Sequence, residues 1–254
     1  MTGNNRAPVG MFDSGVGGIS VLREAVRELP QERFLFFGDT LNAPYGTKSR
    51  EQVQALSRQA VEMLLERGCK AIVIACNTAT SAAAAGLRAA YPHLPIIGME
   101  PALKPASLLR RGGVILSLAT PGTIAGEKYA RLMARYGDGV VSLPCPGLME
   151  FVERLETDGP ALEAYLMRQI GPYASRQIDA VVLGCTHYVF LRPVLNRLLP
   201  GVPLIDGNEG TVRQLKTRLE EMGLRAPAGS EGSVELLSSG GRDALESMEK
   251  LLHA

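Results

Sequence analysis

The sequence predicts an α/β fold arranged as two halves, and three observations carry that prediction. Short apolar runs alternate along the chain with longer amphipathic stretches, the pattern of strand–helix–strand units joined by right-handed crossovers. The apolar runs are continuous rather than alternating, as in strands covered on both faces of a parallel sheet. Two stretches 109 positions apart, "IVIACNTATS" at residues 72–81 and "VVLGCTHYVF" at 181–190, have one shape. Each is a buried-looking strand that runs into a cysteine and then into polar residues, which points to an internal duplication.

Taken in order, the predicted strands are "VGMF", "RFLFFG", "AIVIA", "PIIG", "GVILSL", "VVSLP", "AVVLG" and "VPLID". Between the second and third, residues 49–66 carry the signals of a helix. Ser49 followed by Gln52 makes a capping box for the first free amides. Val53, Leu56, Ala60, Met63 and Leu64 then recur at helical spacing, and Gly68 stands where a helix stops. The tail from about residue 207 reads as a helix ("EGTVRQLKTRLEEMG"), a strand ("SVELLS") and a last helix ("DALESMEKLL"). It is expected to pack back onto the first half. The expected domains are therefore 1–97 plus 207–254, and 98–206. No Pro- or Ser-rich linker separates them, so they are expected to share a close interface, with a ligand in the crevice off the carboxyl ends of the strands.

Composition excludes several classes. Hydrophobic residues make up 46% and charged residues 21% of the 254, which suits a globular protein and not a disordered one. The formal net charge of +1 offers no field for nucleic acid or an anionic membrane, and no basic cluster replaces it. The polar start "MTGNNRAPVG" lacks the apolar core of a signal peptide, and no run of about eighteen apolar residues exists. Cys69, Cys76, Cys145 and Cys185 form neither a CxxC pair nor a zinc spacing, so they read as reduced thiols of a cytoplasmic protein. Three histidines, His93, His187 and His253, support no metal cluster.

Five stretches carry candidate chemistry. "FDSGVGG" follows the first strand; it is either a tight turn capped by Asp13 or a loop with a catalytic carboxylate at its strand end. It is not a dinucleotide fingerprint, because the third glycine, due near Ser20, is missing. "FGDTLNAPYGTKS" places Asp39, Pro44, Tyr45 and Gly46 in a structured loop, suited to turn chemistry or to ligand contact. Cys76 and Cys185 each read as a small buried residue or as a nucleophile. Both precede predicted helix starts, whose dipole favours a thiolate, and His187 stands close enough in sequence to assist Cys185. Cys69 and Cys145 read as structural. In "CPGLMEFVE", Glu150 and Glu153 share a helix face, either solvated or directed at a site.

Together "DSGVGG", "FGDT" with "APYG", "IACNTAT", "LATPGT" and "LGCTHY" resemble, in order and across most of the chain, the cofactor-independent aspartate/glutamate racemase superfamily, and within it the glutamate-specific branch. The resemblance implies two pseudo-symmetric, doubly wound α/β domains with the active site in the crevice between them. It implies Cys76 and Cys185 as catalytic thiols, assisted by Asp13, His187 and Glu153. Substrate would be held by Asp13, Ser14, Tyr45, Gly46, Asn77, Thr78, Thr186 and His187. "DTLNAPYG" departs from the pattern at Leu41 and Asn42, where relatives usually carry alanine and arginine. The implied activity is interconversion of L- and D-glutamate, supplying D-glutamate for peptidoglycan, with no cofactor, no metal and a homodimeric assembly. A sibling racemase acting on aspartate or a hydantoin is the nearest alternative. A non-catalytic, two-lobed amino-acid-binding protein is the alternative from another class.

The chemistry explains why two thiols are wanted. Racemisation removes a proton from one face of the α-carbon and adds one to the other. A single base tends to return the proton to the face it left; a thiolate and a thiol on opposite sides do not.

Overall fold

The computed structural model describes residues 5–253. Its strands are β1 Val9–Asp13, β2 Arg33–Gly38, β3 Ala71–Ile74, β4 Ile96–Gly98, β5 Val114–Ala119, β6 Val140–Pro144, β7 Ile178–Leu183, β8 Leu204–Ile205 and β9 Ser233–Ser238. The helices are α1 Ile19–Glu28, α2 Arg50–Glu66, α3 Asn77–Ala90, α4 Leu103–Ser107, α5 Pro121–Ile124, α6 Glu127–Tyr136, α7 Leu148–Glu153, α8 Pro160–Ile170, α9 Arg192–Leu198, α10 Asn208–Glu221 and α11 Arg242–His253.

The strands form two sheets, ordered β4-β3-β1-β2-β9 and β6-β5-β7-β8, with every pairing parallel. Read from its other edge, the second sheet is β8-β7-β5-β6, the same winding as β4-β3-β1-β2. The two halves therefore repeat one topology, and each predicted apolar run lies on one of these strands. Strands β1, β3 and β5 are buried along their whole length, which is why their sequences carry no polar alternation. One hydrophobic core joins Val9, Met11 and Val73 of the first sheet to Leu116, Val181 and Leu183 of the second.

Helix α2 starts as its sequence demands. Ser49 Oγ accepts from Gln52 N at 3.3 Å, and Gln52 Oε1 accepts from Ser49 N at 3.0 Å. Gly68 adopts the left-handed conformation (φ +77°) that lets the chain turn back into β3. The buried stripe is Val53, Ser57, Ala60, Val61 and Leu64, with Leu56 and Met63 at its half-buried margin. The expectation of a helix directly after Cys185 needs correction. Residues Thr186–Leu191 form a 3-10 turn, and α9 begins only at Arg192. Pro193 is the reason: its fixed φ suits the first turn of a helix, and without an N–H it cannot sit deeper.

The tail strand β9 lies at the edge of the first sheet, paired with β2 from Arg33↔Ser233 to Gly38↔Ser238. A buried ion pair holds the chain leading into it. Glu32 Oε2 accepts from Lys70 Nζ at 2.6 Å, and Glu32 Oε1 accepts from Ala226 N at 2.8 Å. The same ammonium donates to Asn5 O at 2.6 Å. Both side chains are nearly inaccessible, 4% exposed for Lys70 and 1% for Glu32. No helix among the described residues is long and apolar enough to cross a membrane.

Candidate active site

Parallel strands bring their carboxyl ends to one edge of a sheet, and ligands collect where the strand order reverses. The first sheet reverses between β1 and β3, the second between β5 and β7. Asp13 ends β1 and Cys76 follows β3; Thr120 follows β5 and Cys185 follows β7. Cys76 and Cys185 thus occupy equivalent places in the two halves, each two residues beyond the third strand of its winding.

Cys76 caps α3, with Sγ accepting from Ala79 N at 3.4 Å and lying 3.6 Å from Ser14 Oγ. Burial pushes this thiol well above its ordinary pKa, and the Asp13 carboxylate adds to the effect. The helix start expected to favour a thiolate is present, but its Ala79 amide offsets only part of the desolvation. Asp13 is fully buried. Its Oδ2 accepts from Gly18 N at 2.7 Å and from Thr186 Oγ1 at 3.3 Å, while Oδ1 has no partner in the protein. Burial lifts its pKa to about 6, against the opposing pull of the His187 charge and of the Gly18 and Ser14 amides.

Cys185 has a different setting. Its Sγ is 3.6 Å from His187 Nδ1, and His187 Nε2 is 2.6 Å from Glu153 Oε1. Glu153 Oε1 also accepts from Val16 N at 2.9 Å. Burial disfavours the imidazolium, but hydrogen bonds and charges from Cys185 and Glu153 outweigh it and lift His187 well above its ordinary pKa. Burial likewise opposes ionised Glu153, and His187 more than compensates, so the Glu153 pKa is lowered. His187 Nε2 also accepts from Gly17 N at 3.2 Å, so the loop after β1 meets the same ring nitrogen that faces Glu153. Glu153, not Glu150, reaches the histidine.

The glycine loop after β1 explains its own composition. A Cβ on Gly15 would lie 1.9 Å from Glu153 Oε1, and one on Gly17 would lie 2.2 Å from His187 Nδ1. At Gly17, where a Cβ would run into the imidazole ring itself, only glycine lets this first-half loop press on the second-half pair. The loop after β2 crosses similarly. Tyr45 is buried, its hydroxyl donating to Asp39 Oδ2 at 2.7 Å, and a Cβ on Gly46 would lie 3.1 Å from Thr120 Cβ. Thr78 Oγ1 is 3.0 Å from Thr120 Oγ1 and 3.2 Å from Thr123 Oγ1. Asn77 is buried with neither end of its amide hydrogen-bonded within the protein.

Contacts between the two halves join several of the expected residues: Asp13 meets Thr186, the loop of Gly15 and Gly17 meets Glu153 and His187, and Thr78 and Gly46 meet Thr120. Thr120 and Thr123 take part in these contacts, although sequence reasoning assigned them no role. Their signal was present in "LATPGT", a strand end followed by a capped turn. Among the described residues, no group of three His, Cys, Asp or Glu side chains has the geometry to hold a metal ion.

Equivalent cysteines at the reversal points of two repeated α/β halves define a class. The chain belongs to the Asp/Glu/hydantoin racemase family, whose model matches residues 13–215. It is 49% identical over 237 residues to glutamate racemase of Clostridium novyi, covering 92% of each chain. Two solved structures are similar. One is glutamate racemase from Francisella tularensis in complex with D-glutamate (TM-score 0.84, 28% identity, 98% of this chain and 95% of that one). The other is the Escherichia coli glutamate racemase in complex with L-glutamate and an activator, UDP-MurNAc-Ala (TM-score 0.84, 30% identity, 97% and 94%).

Proposed function

We propose that this protein interconverts L- and D-glutamate by proton transfer between two thiols, supplying D-glutamate for peptidoglycan. The observation that carries the reading is the equivalent placement of Cys76 and Cys185, each two residues beyond the third strand of its half, at the two reversal points. Cys76 and Cys185 act as the two bases on opposite faces of the α-carbon. His187, oriented by Glu153, exchanges a proton with Cys185. Asp13 sets the charge around Cys76, and its unpartnered Oδ1 is available to the substrate ammonium. The ammonium in turn favours loss of the Cys76 proton, which burial otherwise opposes. Ser14, Asn77, Thr78, Thr186, Thr120 and Thr123 offer hydroxyl and amide donors for the two carboxylates, with Tyr45 and Gly46 closing the crevice. Glutamate as substrate is supported by the relatives, which are named for it, the Francisella tularensis enzyme being in complex with D-glutamate and the Escherichia coli enzyme with L-glutamate.

Incubation with L-glutamate in D₂O, without added cofactor, is the test. The expected product is D-glutamate carrying deuterium at the α-carbon, read by chiral chromatography and mass. Folded protein that forms no D-glutamate, but racemises aspartate, would move the assignment to a sibling activity.

The ionisation of Asp13 predicts a pH dependence. With its carboxyl at about 6, Asp13 is protonated below that pH and ionised above it. The acid limb of kcat/KM is therefore expected near pH 6 and is assigned to Asp13. Asp13→Asn should lower activity and flatten that limb; a limb that survives in the variant belongs to another group. The resemblance also implies a homodimer, which light scattering of the purified protein would test.

A further inference from the structure

Parallel pairing has a consequence for the tail. Strand β9 runs parallel to β2, so its carboxyl end emerges at the same sheet edge as Asp13 and Cys76. Its last residue, Ser238, stands opposite Gly38, and Ser239 N donates to Gly38 O at 3.1 Å. The tail thereby arrives directly behind the loop of residues 39–48 that carries Tyr45 and Gly46.

The contact there is specific. Asp39 is 4% exposed, and hydrogen bonds hold its carboxylate. Oδ2 accepts from Tyr45 Oη at 2.7 Å, and Asn42 Nδ2 donates to the two oxygens at 2.9 and 3.1 Å. Oδ1 accepts from Ser239 Oγ at 2.8 Å. Ser239 Oγ in turn accepts from Leu41 N at 3.0 Å, so this one hydroxyl both donates to the carboxylate and holds the loop's backbone. Beside it, Thr40 Oγ1 lies 2.8 Å from Ser238 Oγ. The backbone of Asp39 is tied to the site itself, its N–H donating to Asp13 O at 2.9 Å.

We propose that Ser239 is a positioning residue: it acts through Asp39 to fix the loop of Tyr45 and Gly46 over the substrate. The proposal rests on the racemase reading for what the loop covers. Asp39 links three elements. Through Tyr45 it holds the part of the loop that abuts Thr120, through Asn42 it closes the loop on itself, and through Ser239 it anchors the loop to the tail. Leu41 and Asn42, where the chain departs from the pattern it otherwise resembles, flank this anchor. Leu41 turns its side chain to solvent, 74% exposed, and contributes its backbone N–H. Asn42 supplies a neutral amide to a carboxylate that already has two hydroxyl donors.

Ser239→Ala is the decisive variant. It deletes one hydroxyl and leaves the backbone bond to Gly38 and the β2–β9 pairing in place, so the protein is expected to fold, with its unfolding midpoint lowered only as far as the loss of that hydroxyl's hydrogen bonds requires. Two readouts are taken. Amide hydrogen exchange, which needs no substrate, is expected to speed up in residues 40–48 and to stay unchanged in β2 and β9. In glutamate racemisation, KM is expected to rise about tenfold, as for loss of one charge-assisted hydrogen bond, with kcat much less affected. Ser239→Thr, which keeps the hydroxyl, should restore both. Unchanged exchange in 40–48 overturns the proposal whatever the activity. Faster exchange with an unchanged KM in an active enzyme overturns the positioning role. Wild-type protein that turns over no glutamate overturns the racemase reading instead, and the exchange data still decide whether Ser239 orders the loop.

Discussion

Cys76→Ser and Cys185→Ser are each expected to reduce glutamate racemisation by about 10²–10⁴-fold, the contribution typical of a positioned general base. Serine keeps the shape of the side chain and the hydrogen bonds it can make, but its hydroxyl is a far weaker acid than a thiol. The loss should therefore appear in turnover and not in folding, and circular dichroism and thermal melting should match wild type. The two variants should also differ from each other. Cys76 is held as a thiol by burial and by the Asp13 carboxylate, whereas Cys185 faces an imidazole that is paired with Glu153. Each variant retains one base, so residual exchange of the α-proton with D₂O should be confined to one enantiomer, and to opposite enantiomers in the two variants. Full racemisation by either variant would remove that cysteine from the mechanism. Intact turnover in both would leave the thiols as core residues.

The largest effect on stability is expected at Glu32, far from the thiols. Removing one member of a buried ion pair leaves the other charged and unsolvated, at a cost of about 3–5 kcal/mol. A domain stable by about 5–15 kcal/mol loses a large share of that. Glu32→Ala leaves the Lys70 ammonium only Asn5 O, takes the carboxylate away from Arg225 Nε at 3.6 Å, and frees the Ala226 amide, which begins the approach to β9. The urea midpoint should fall sharply. The double variant Glu32→Leu/Lys70→Met, which removes both charges and refills the space, should recover part of the loss. A single variant with the wild-type midpoint would mean that water already reaches this pair.

Much of the fold was legible from the order of residues. The runs of β1, β3 and β5 are continuous because a strand buried on both faces has no solvent side to record. The capping box at Ser49 and Gln52 marks the start of α2 because its two hydrogen bonds are local and need no distant partner. The cysteine segments reveal a duplication because each half repeats the same strand-to-turn transition. The helix expected after Cys185 was displaced to Arg192 by Pro193, a local rule that the matching shape of the two segments concealed.

What the sequence by itself determined are the strands, most helices, the paired thiols and the candidate loops, since propensity, capping and periodicity act over a few residues. Tertiary structure alone decided which of these groups meet. It brought Glu153 rather than Glu150 to His187 and seated Gly15 and Gly17 against that pair. It gathered Thr78, Thr120 and Thr123, and it placed Ser239 on Asp39, 200 residues away in the chain. It also set the charge states, because the desolvation that raises Asp13 and Cys76 depends on how completely two separate sheets close over them. Burial and long-range contact are properties of the packed chain, and no local pattern of residues encodes them.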